Sequence, residues 1–165
     1  MIVVSNAGPL IALARVKCLG LLRALLGKIV IPQAVYDEIV VKGKGKAGAD
    51  KVRNAVGGWV EVQKVRNEAM VRGFLTKLGR GESEAIALAL EMKADLVLLD
   101  DCKARTIAEF MGLNVTGTVG VLREAYDKGA ITELKPILDE LIAKGFHLSD
   151  DVYNEVLKAG KGHRR

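Results

Sequence analysis

The chain has 165 residues, of which 50% are hydrophobic and 27% are charged, a globular composition that excludes a disordered protein and suits one domain. Its two cysteines, Cys18 and Cys102, form no CxxC pair, which argues against a zinc knuckle and favours a reducing compartment. The start lacks the features of a signal peptide, and no apolar run approaches the roughly 18 residues of a membrane span. We therefore expect a cytoplasmic protein without a membrane partner.

The net charge of +5 is unevenly distributed along the chain. Residues 42–80 hold ten Lys or Arg against three Asp or Glu, whereas residues 81–101 hold six Asp or Glu against one Lys. The C-terminal segment "KAGKGHRR" adds four more positive charges. Basic surface beside a concentrated acidic segment is typical of a polyanion held near a cation site, although solvated helix faces produce the same pattern.

Short β-rich segments recur in the order "IVVS", "KIVIP", "WVEVQ", "DLVLLD" and "NVTG". Segments with helical periodicity lie between most of them. Strands that alternate with helices predict a parallel sheet covered by helices on both faces. The nearly continuous apolar character of "DLVLL" predicts a central strand, because such a strand is buried on both sides.

The helical segments follow the strands in a regular order. "LIALARVKCLGLLRALL" follows the first strand, "QAVYDEIVV" the second, and "GESEAIALALEM" and "DDCKARTIAEFMG" flank the fourth. Three further helices are predicted after Gly117, the last beginning after a Ser149 cap and ending at Gly160. The lysine-glycine stretch "KGKGKAG" is predicted to be a mobile loop.

Two motifs resemble known sites without their required context. Gly43, Gly45 and Gly48 satisfy G-x-G-x-x-G, but they follow a predicted helix, whereas a dinucleotide fingerprint follows a strand. "GESEA" around Ser83 resembles a nucleophile elbow, but no strand precedes it and its last residue is not glycine. His147 and His163 have no clustered Cys or His partners, which argues against a zinc site, and His147 is predicted to be a surface or capping residue.

The remaining candidates are carboxylates at the ends of elements. Asp100 and Asp101 end "DLVLL", Glu38 lies in the helix after the second strand, and Glu82 and Glu84 lie in the first turn of a helix. Only one of these two glutamates can face a given site, because residues two apart on a helix point in different directions. Helix dipoles and turns explain each acid singly. Taken together, the acids are a stronger candidate for a functional site, because adjacent parallel strands would bring them to one edge of the sheet.

Four blocks carry a resemblance to a known family. "VVSNAGPLIALA", "IPQAVYDEIV", "GRGESEAIALALEMKADLVLLDDCKAR" and "GLNVTGTVGVL", in this order, resemble a PIN domain. With the later segment "ILDELIAKGFHLSDDVYNEVL" they resemble the prokaryotic nucleic-acid-binding branch related to VapC-type toxins. The resemblance spans essentially the whole chain, and its most specific part is the third block.

The resemblance implies a three-layer α/β/α sandwich with a parallel sheet and extra C-terminal helices. It corresponds to a single domain over residues 1–165, with a helical extension at 132–160 and a basic tail at 161–165. It also implies a Mg²⁺- or Mn²⁺-dependent nuclease of single-stranded RNA or DNA, often a homodimer, with an antitoxin-like protein as a further partner.

Carried over residue by residue, the resemblance implies a metal site of Asn6, Glu38, Glu82 and Asp100, with Asp101 adjacent and able to exchange roles with Asp100. Glu38, Glu82, Asp100 and Asp101 are the implied catalytic acids. Asn6 departs from the family pattern, which has an aspartate there, so the site has one anion fewer. We therefore expect weak activity that favours Mn²⁺.

Basic residues are the candidates for phosphate contact. The lysine-rich loop supplies Lys42, Lys44 and Lys46, and Lys103 and Arg105 follow the aspartates by a few residues. Lys103 and Arg105 also suit ordinary solvated positions. The leading prediction is a metal-dependent ribonuclease. The alternatives are an inactive PIN-like module that binds RNA or a protein, and an α/β phosphatase or receiver-like domain, for which Asn6 replaces the expected nucleophile.

Overall fold

The computed structural model describes the backbone of residues 1–163 and the side chains of residues 1–158. All five predicted strands are present over slightly shorter ranges. They are β1 (Val3–Ser5), β2 (Ile29–Pro32), β3 (Val60–Gln63), β4 (Leu96–Leu98) and β5 (Val115–Thr116). The strands form one sheet in the order β3-β2-β1-β4-β5, and every pairing is parallel. The predicted parallel sheet is therefore confirmed, with β1 at its centre and β4 beside it.

Helices connect the strands and cover the sheet. Their ranges are α1 (Ala7–Arg15), α2 (Gly20–Leu26), α3 (Gln33–Tyr36), α4 (Ala49–Ala55), α5 (Glu68–Leu75), α6 (Arg80–Met92), α7 (Cys102–Phe110), α8 (Thr118–Asp127), α9 (Lys135–Ala143) and α10 (Asp150–His163). A π-helical segment, Asp37–Val41, continues α3 directly. None of the helices in the described part of the chain is long and apolar enough to cross a membrane.

The sheet separates two hydrophobic cores, because alternate residues of each strand face opposite sides. Val3 of β1 packs with α1, α2, α4, α8 and α9 in one cluster. Val4 packs in the other cluster with α6 and α7. These two helical layers and the sheet between them are the expected α/β/α sandwich.

Some predicted helix boundaries are wrong for identifiable reasons. The segment after β1 forms two helices, α1 and α2, because the backbone at Lys17 takes a left-handed conformation with φ of 60°. Short helices α4 and α5, which the sequence did not predict, flank β3. Helix α10 continues past Gly160 to His163. The predicted basic tail at 161–165 lies outside the residues whose side chains are described.

The lysine-glycine segment at 42–48 forms a series of turns between the π-helical segment and α4. The Lys42 N–H donates to the Asp37 carbonyl, and the Lys46 N–H donates to the Gly43 carbonyl. Gly43 packs so closely on the Ile39 carbonyl that a side chain there would overlap it. This segment follows a helix, as the sequence predicts, and does not have the context of a dinucleotide fingerprint.

Candidate functional site

Two candidate site residues follow the ends of neighbouring strands. Ser5 of β1 pairs in register with Leu98 of β4, and the Asn6 N–H donates a 3.0 Å hydrogen bond to the Leu98 carbonyl. Asp100 lies two residues beyond Leu98. Because parallel strands end at the same edge, Asn6 and Asp100 lie together at the carboxyl edge of the sheet.

The Asn6 side chain turns its amide oxygen toward the helix that carries Glu38. The Asn6 Oδ1 atom is buried and has no hydrogen-bond partner within the described residues. Asn6 Oδ1 and Glu38 Oε1 each lie 3.2 Å from the position that a Cβ on Gly81 would occupy. Because Gly81 has no side chain, the Asn6 and Glu38 oxygen atoms can both approach the start of α6. An unpaired buried carbonyl oxygen is costly, which makes it a good candidate for a ligand contact.

Glu82 lies in the first turn of α6, next to Gly81. The Gly79 N–H donates to Glu82 Oε1 at 3.2 Å, which fixes the carboxylate at the start of the helix. Burial raises the pKa of Glu82, the negative charge of Asp101 raises it further, and that of Glu38 adds a smaller effect; the Gly79 N–H opposes them. These effects arise from proximity, so Glu82, Glu38 and Asp101 belong to one electrostatic cluster.

The two aspartates after β4 have different roles in the backbone. Asp100 accepts hydrogen bonds from the Thr118 N–H at 2.7 Å and the Thr118 hydroxyl at 2.6 Å, so it caps the start of α8. Asp101 is the N-cap of α7 and accepts from the Ala104 N–H at 2.9 Å. Each therefore has one structural partner, and each is also at the acidic edge of the sheet.

Glu84 is separated from this cluster. Its carboxylate is buried and accepts from the Ala34 N–H at 3.0 Å and from Arg80 Nε at 2.9 Å. Arg80 also pairs with Glu68 at 2.6 Å. Glu84 thus joins α6 to the start of α3, whereas Glu82 is the glutamate of this turn that lies near Asp101 and Glu38.

A pocket of about 380 Å³ lies beside the acids. Glu38 and Asp100 line it together with four residues that the sequence analysis did not select, which are Arg15, Lys144, Phe146 and His147. Lys144 donates to the Arg15 carbonyl at 2.7 Å and so holds the α9 end against α1. The lining of the pocket therefore combines acidic, basic and aromatic side chains.

A second pocket, of about 540 Å³, adjoins the first at Asp100, Phe146 and His147. Arg105 and Cys102 line this second pocket. Phe146 and His147 lie in the connection between α9 and α10, and their position depends on how the C-terminal helices fold back over the sheet edge. The only sequence signal for them is an aromatic residue between two basic ones in "KGFH".

The predicted phosphate contacts lie in different surroundings. Lys42, Lys44 and Lys46 are exposed, and their loop reaches the first pocket through Ala47, whose carbonyl accepts from Arg15 Nε at 3.5 Å. Arg105 donates to the Leu99 carbonyl at 3.1 Å and lies beside Asp100. Lys103 is exposed on α7 and lines neither pocket.

The donor chemistry of this edge fits a hard divalent cation. Carboxylate and amide oxygens are the ligands that Mg²⁺ and Mn²⁺ prefer, and the unpartnered Oδ1 of Asn6 supplies a neutral one. No three Asp, Glu, His or Cys side chains in the described part of the chain, however, are arranged so that they could hold a metal ion. Glu38 and Asp100 line the first pocket, whereas Glu82 and Asp101 do not.

Comparisons with known proteins give one family match and similar solved structures. A family model described as a PIN domain matches residues 2–161. Among solved structures, a PilT N-terminus domain protein from the hyperthermophilic archaeon Sulfolobus solfataricus P2 is 21% identical, with a TM-score of 0.47. That match covers 90% of this chain and 98% of the other. No protein of curated function matches the chain in sequence.

Proposed function

This chain belongs to the PIN-domain family, and on that premise we propose that it is a divalent-metal-dependent ribonuclease acting on single-stranded RNA. Three observations support the proposal: the Asn6 and Glu38 oxygens both approach Gly81, the charges of Asp101 and Glu38 act on Glu82, and Glu38 and Asp100 line a pocket that Arg15 and Lys144 also line. Acidic residues suit cation binding, and the basic residues suit a phosphate backbone.

Asn6, Glu38, Glu82 and Asp100 would hold the cation, with Asp101 within reach. When bound, such a cation polarises a phosphate oxygen and lowers the pKa of a bound water. Burial and the negative charges of Asp101 and Glu38 raise the pKa of Glu82 when no cation is present, and a bound cation would offset this repulsion. The two hydrogen bonds from Thr118 would hold the Asp100 side chain in one rotamer, ready to contact a cation.

The surrounding residues would bind and orient the RNA. Arg15 and Lys144 line the first pocket, Arg105 lines the second, and Asp100 lines both. The phosphates of the strand would contact these three cations. Phe146 lies where the two pockets meet and offers a face on which a base could stack. Lys42, Lys44 and Lys46 would extend the basic path away from the acids.

The test is cleavage of a labelled single-stranded RNA with Mn²⁺ and with a chelator. The natural protein should cut slowly with Mn²⁺ and not with the chelator, and Asp100→Asn should remove the activity while keeping the fold, because asparagine can still accept from Thr118. Asp50→Asn is the matched control, since Asp50 is exposed on α4 and pairs with Arg53. Cleavage that persists in Asp100→Asn would contradict the proposal.

The second candidate function is a PIN module that binds RNA without cutting it. The specific observation in its favour is Asn6, which leaves the site with one negative charge fewer than the family pattern supplies. RNA binding with no cleavage at any Mn²⁺ concentration would select it. A cytoplasmic location, a homodimer and an antitoxin-like partner also belong to the proposal; light scattering tests the dimer, and co-purification from cells tests the partner.

A further inference from the structure

A basic groove with an aromatic wall lies at the amino-terminal edge of the sheet, away from the acids. Lys28 precedes β2 and Trp59 precedes β3, and these two strands are neighbours in the sheet. Two adjoining pockets, of about 440 Å³ and 650 Å³, share Asn54, Ala55 and Trp59. The groove therefore opens at the edge opposite to Asn6 and Asp100.

The charged residues that line this groove are all cations. Lys17 and Lys51 line one pocket, and Arg23 and Lys28 line the other. Lys28 pairs with Glu61 at 3.1 Å. Among the described residues, Lys17, Arg23 and Lys51 form no salt bridge, so their charges are available to an anion.

Trp59 is the only tryptophan of the chain, and it lines both pockets. Its side chain is half-buried, and its backbone carbonyl accepts from the Ile29 N–H at 2.8 Å, which anchors the residue to β2. Within the described residues, the indole N–H donates to no protein acceptor. An aromatic ring beside unpaired cations is an arrangement by which proteins bind single-stranded nucleic acid, with bases stacked on the ring and phosphates on the cations.

We infer that this groove of Lys17, Arg23, Lys28, Lys51 and Trp59 is a second binding site for single-stranded nucleic acid. A strand held there would be bound at a surface separate from the acids, so binding at this groove needs no divalent cation. The indole ring would contact the bases and the cations would contact the phosphates, but neither would recognise the sugar. RNA and DNA strands should therefore both bind.

The test uses the fluorescence of Trp59, which reports on this groove alone. An oligouridylate of about 12 nucleotides, a length within the range of single-strand sites, is titrated into the full chain in the presence of a chelator. We expect saturable quenching that weakens as salt rises. Oligothymidylate should quench similarly. Inorganic polyphosphate should compete for the cations but quench much less, because it has no bases.

Variants locate the site. The double variant Lys17→Gln with Lys51→Gln should lower the affinity measured by quenching about ten-fold or more, because two phosphate contacts are lost. The matched control, Lys64→Gln with Lys77→Gln, removes the same charge from exposed positions outside the groove and should bind like the natural protein. With a labelled strand, Trp59→Leu should lower affinity about ten-fold, and Trp59→Phe should restore most of it.

Several outcomes would overturn the inference. They are the absence of quenching, equal quenching by polyphosphate, equal losses in the test and control pairs, or quenching by anionic lipid vesicles and not by the oligonucleotides. The outcome is independent of the ribonuclease proposal, because Asp100→Asn should quench like the natural protein. Failure of cleavage with intact quenching would contradict the ribonuclease alone, and the reverse result would contradict this groove alone.

Discussion

Gly117 allows Asp100 and Arg105 to lie against the turn that precedes α8. A Cβ at this position would be 2.6 Å from Asp100 Oδ1 and 2.7 Å from Arg105 Nη1. Both distances are too short for a carbon atom, so any side chain would displace one of the two groups. The absence of a side chain at residue 117 therefore positions an acid and a cation of the proposed site.

Gly117→Ala should reduce both stability and RNA cleavage, because the methyl group pushes Asp100 away from Thr118. The expected loss in the free energy of unfolding is about 1–3 kcal/mol, measured by urea denaturation. Gly73→Ala is the control: no atom lies within 4 Å of a Cβ there, and alanine favours the helix by up to about 1 kcal/mol. A Gly117→Ala protein with natural stability and activity would contradict this account of the turn.

Glu82→Gln should change the pH dependence of stability. The pKa of Glu82 is raised in the folded protein above its ordinary value of 4.5. A raised folded pKa favours folding most below pH 4.5, and this contribution is lost as the pH rises through the folded pKa. In the absence of metal, Glu82→Gln should therefore raise the free energy of unfolding at pH 7, by less than about 1 kcal/mol. No increase is expected near pH 4. Chemical denaturation at both pH values measures this.

Glu84→Gln is the matched control for that measurement. Glu84 is buried between the Ala34 N–H and Arg80, so loss of its charge should lower stability at pH 7. Equal effects of the two substitutions would mean that Glu82 is not held in a cluster of like charges.

The individual acids could be predicted from the sequence more readily than their surroundings. Asp100 follows an obvious buried strand, and helical spacing separates Glu82 from Glu84. Phe146 and His147 could not be predicted in this way, because they lie in a connection whose position depends on the packing of α9 and α10. Their position comes from tertiary structure, and no spacing in "KGFH" indicates which pocket they line.

At the scale of elements, the strands were predictable because each is a short apolar run bounded by turn residues. The helices were less so. Helices α4 and α5 are short and charged; α4 packs against α1 and the π-helical segment, and α5 packs against α6. The break between α1 and α2 comes from the left-handed backbone conformation of Lys17. The helical periodicity of the sequence continues through this position, so it gives no sign of the break.

Lys93 offers a test of how α6 ends. It occupies the C-cap in the left-handed conformation with φ of 53°, which is unfavourable for any residue except glycine. Lys93→Gly should therefore raise the free energy of unfolding by about 1 kcal/mol, measured by thermal or urea unfolding. Lys93→Ala, which removes the same side chain but keeps the Cβ, should show no such gain. Equal behaviour of the two variants would contradict this explanation.

At the scale of the whole molecule, the alternation of strands and helices predicted the parallel sheet and its two helical layers. Chain connectivity then determines the site, because β1 and β4 are adjacent and both end at the acidic edge. The fold also places basic surface in two regions. One is the lysine loop beside the acids, and the other is the groove around Trp59.

Lysines 42, 44 and 46 should act through charge and not through specific contacts. Replacing all three with glutamine should lower the slope of log affinity for single-stranded RNA against log salt by about 2, since each phosphate contact contributes about 0.7. Binding is measured by fluorescence anisotropy across a salt series. Glutamine at Lys64, Lys77 and Lys128, which removes the same charge elsewhere, should leave the slope nearly unchanged. A salt-independent affinity of the natural protein would contradict a phosphate contact altogether.

The central claim is that Asn6, Glu38, Glu82 and Asp100 form one cation site that cleaves RNA. Mn²⁺ binding by calorimetry, followed by RNA cleavage on a gel, tests it in the natural protein, Asn6→Asp and Asp100→Asn. A carboxylate binds a cation more strongly than a neutral amide. Asn6→Asp should therefore raise Mn²⁺ affinity and cleavage rate together, and Asp100→Asn should abolish both. If Asn6→Asp leaves both unchanged, Asn6 is outside the site and the account is contradicted.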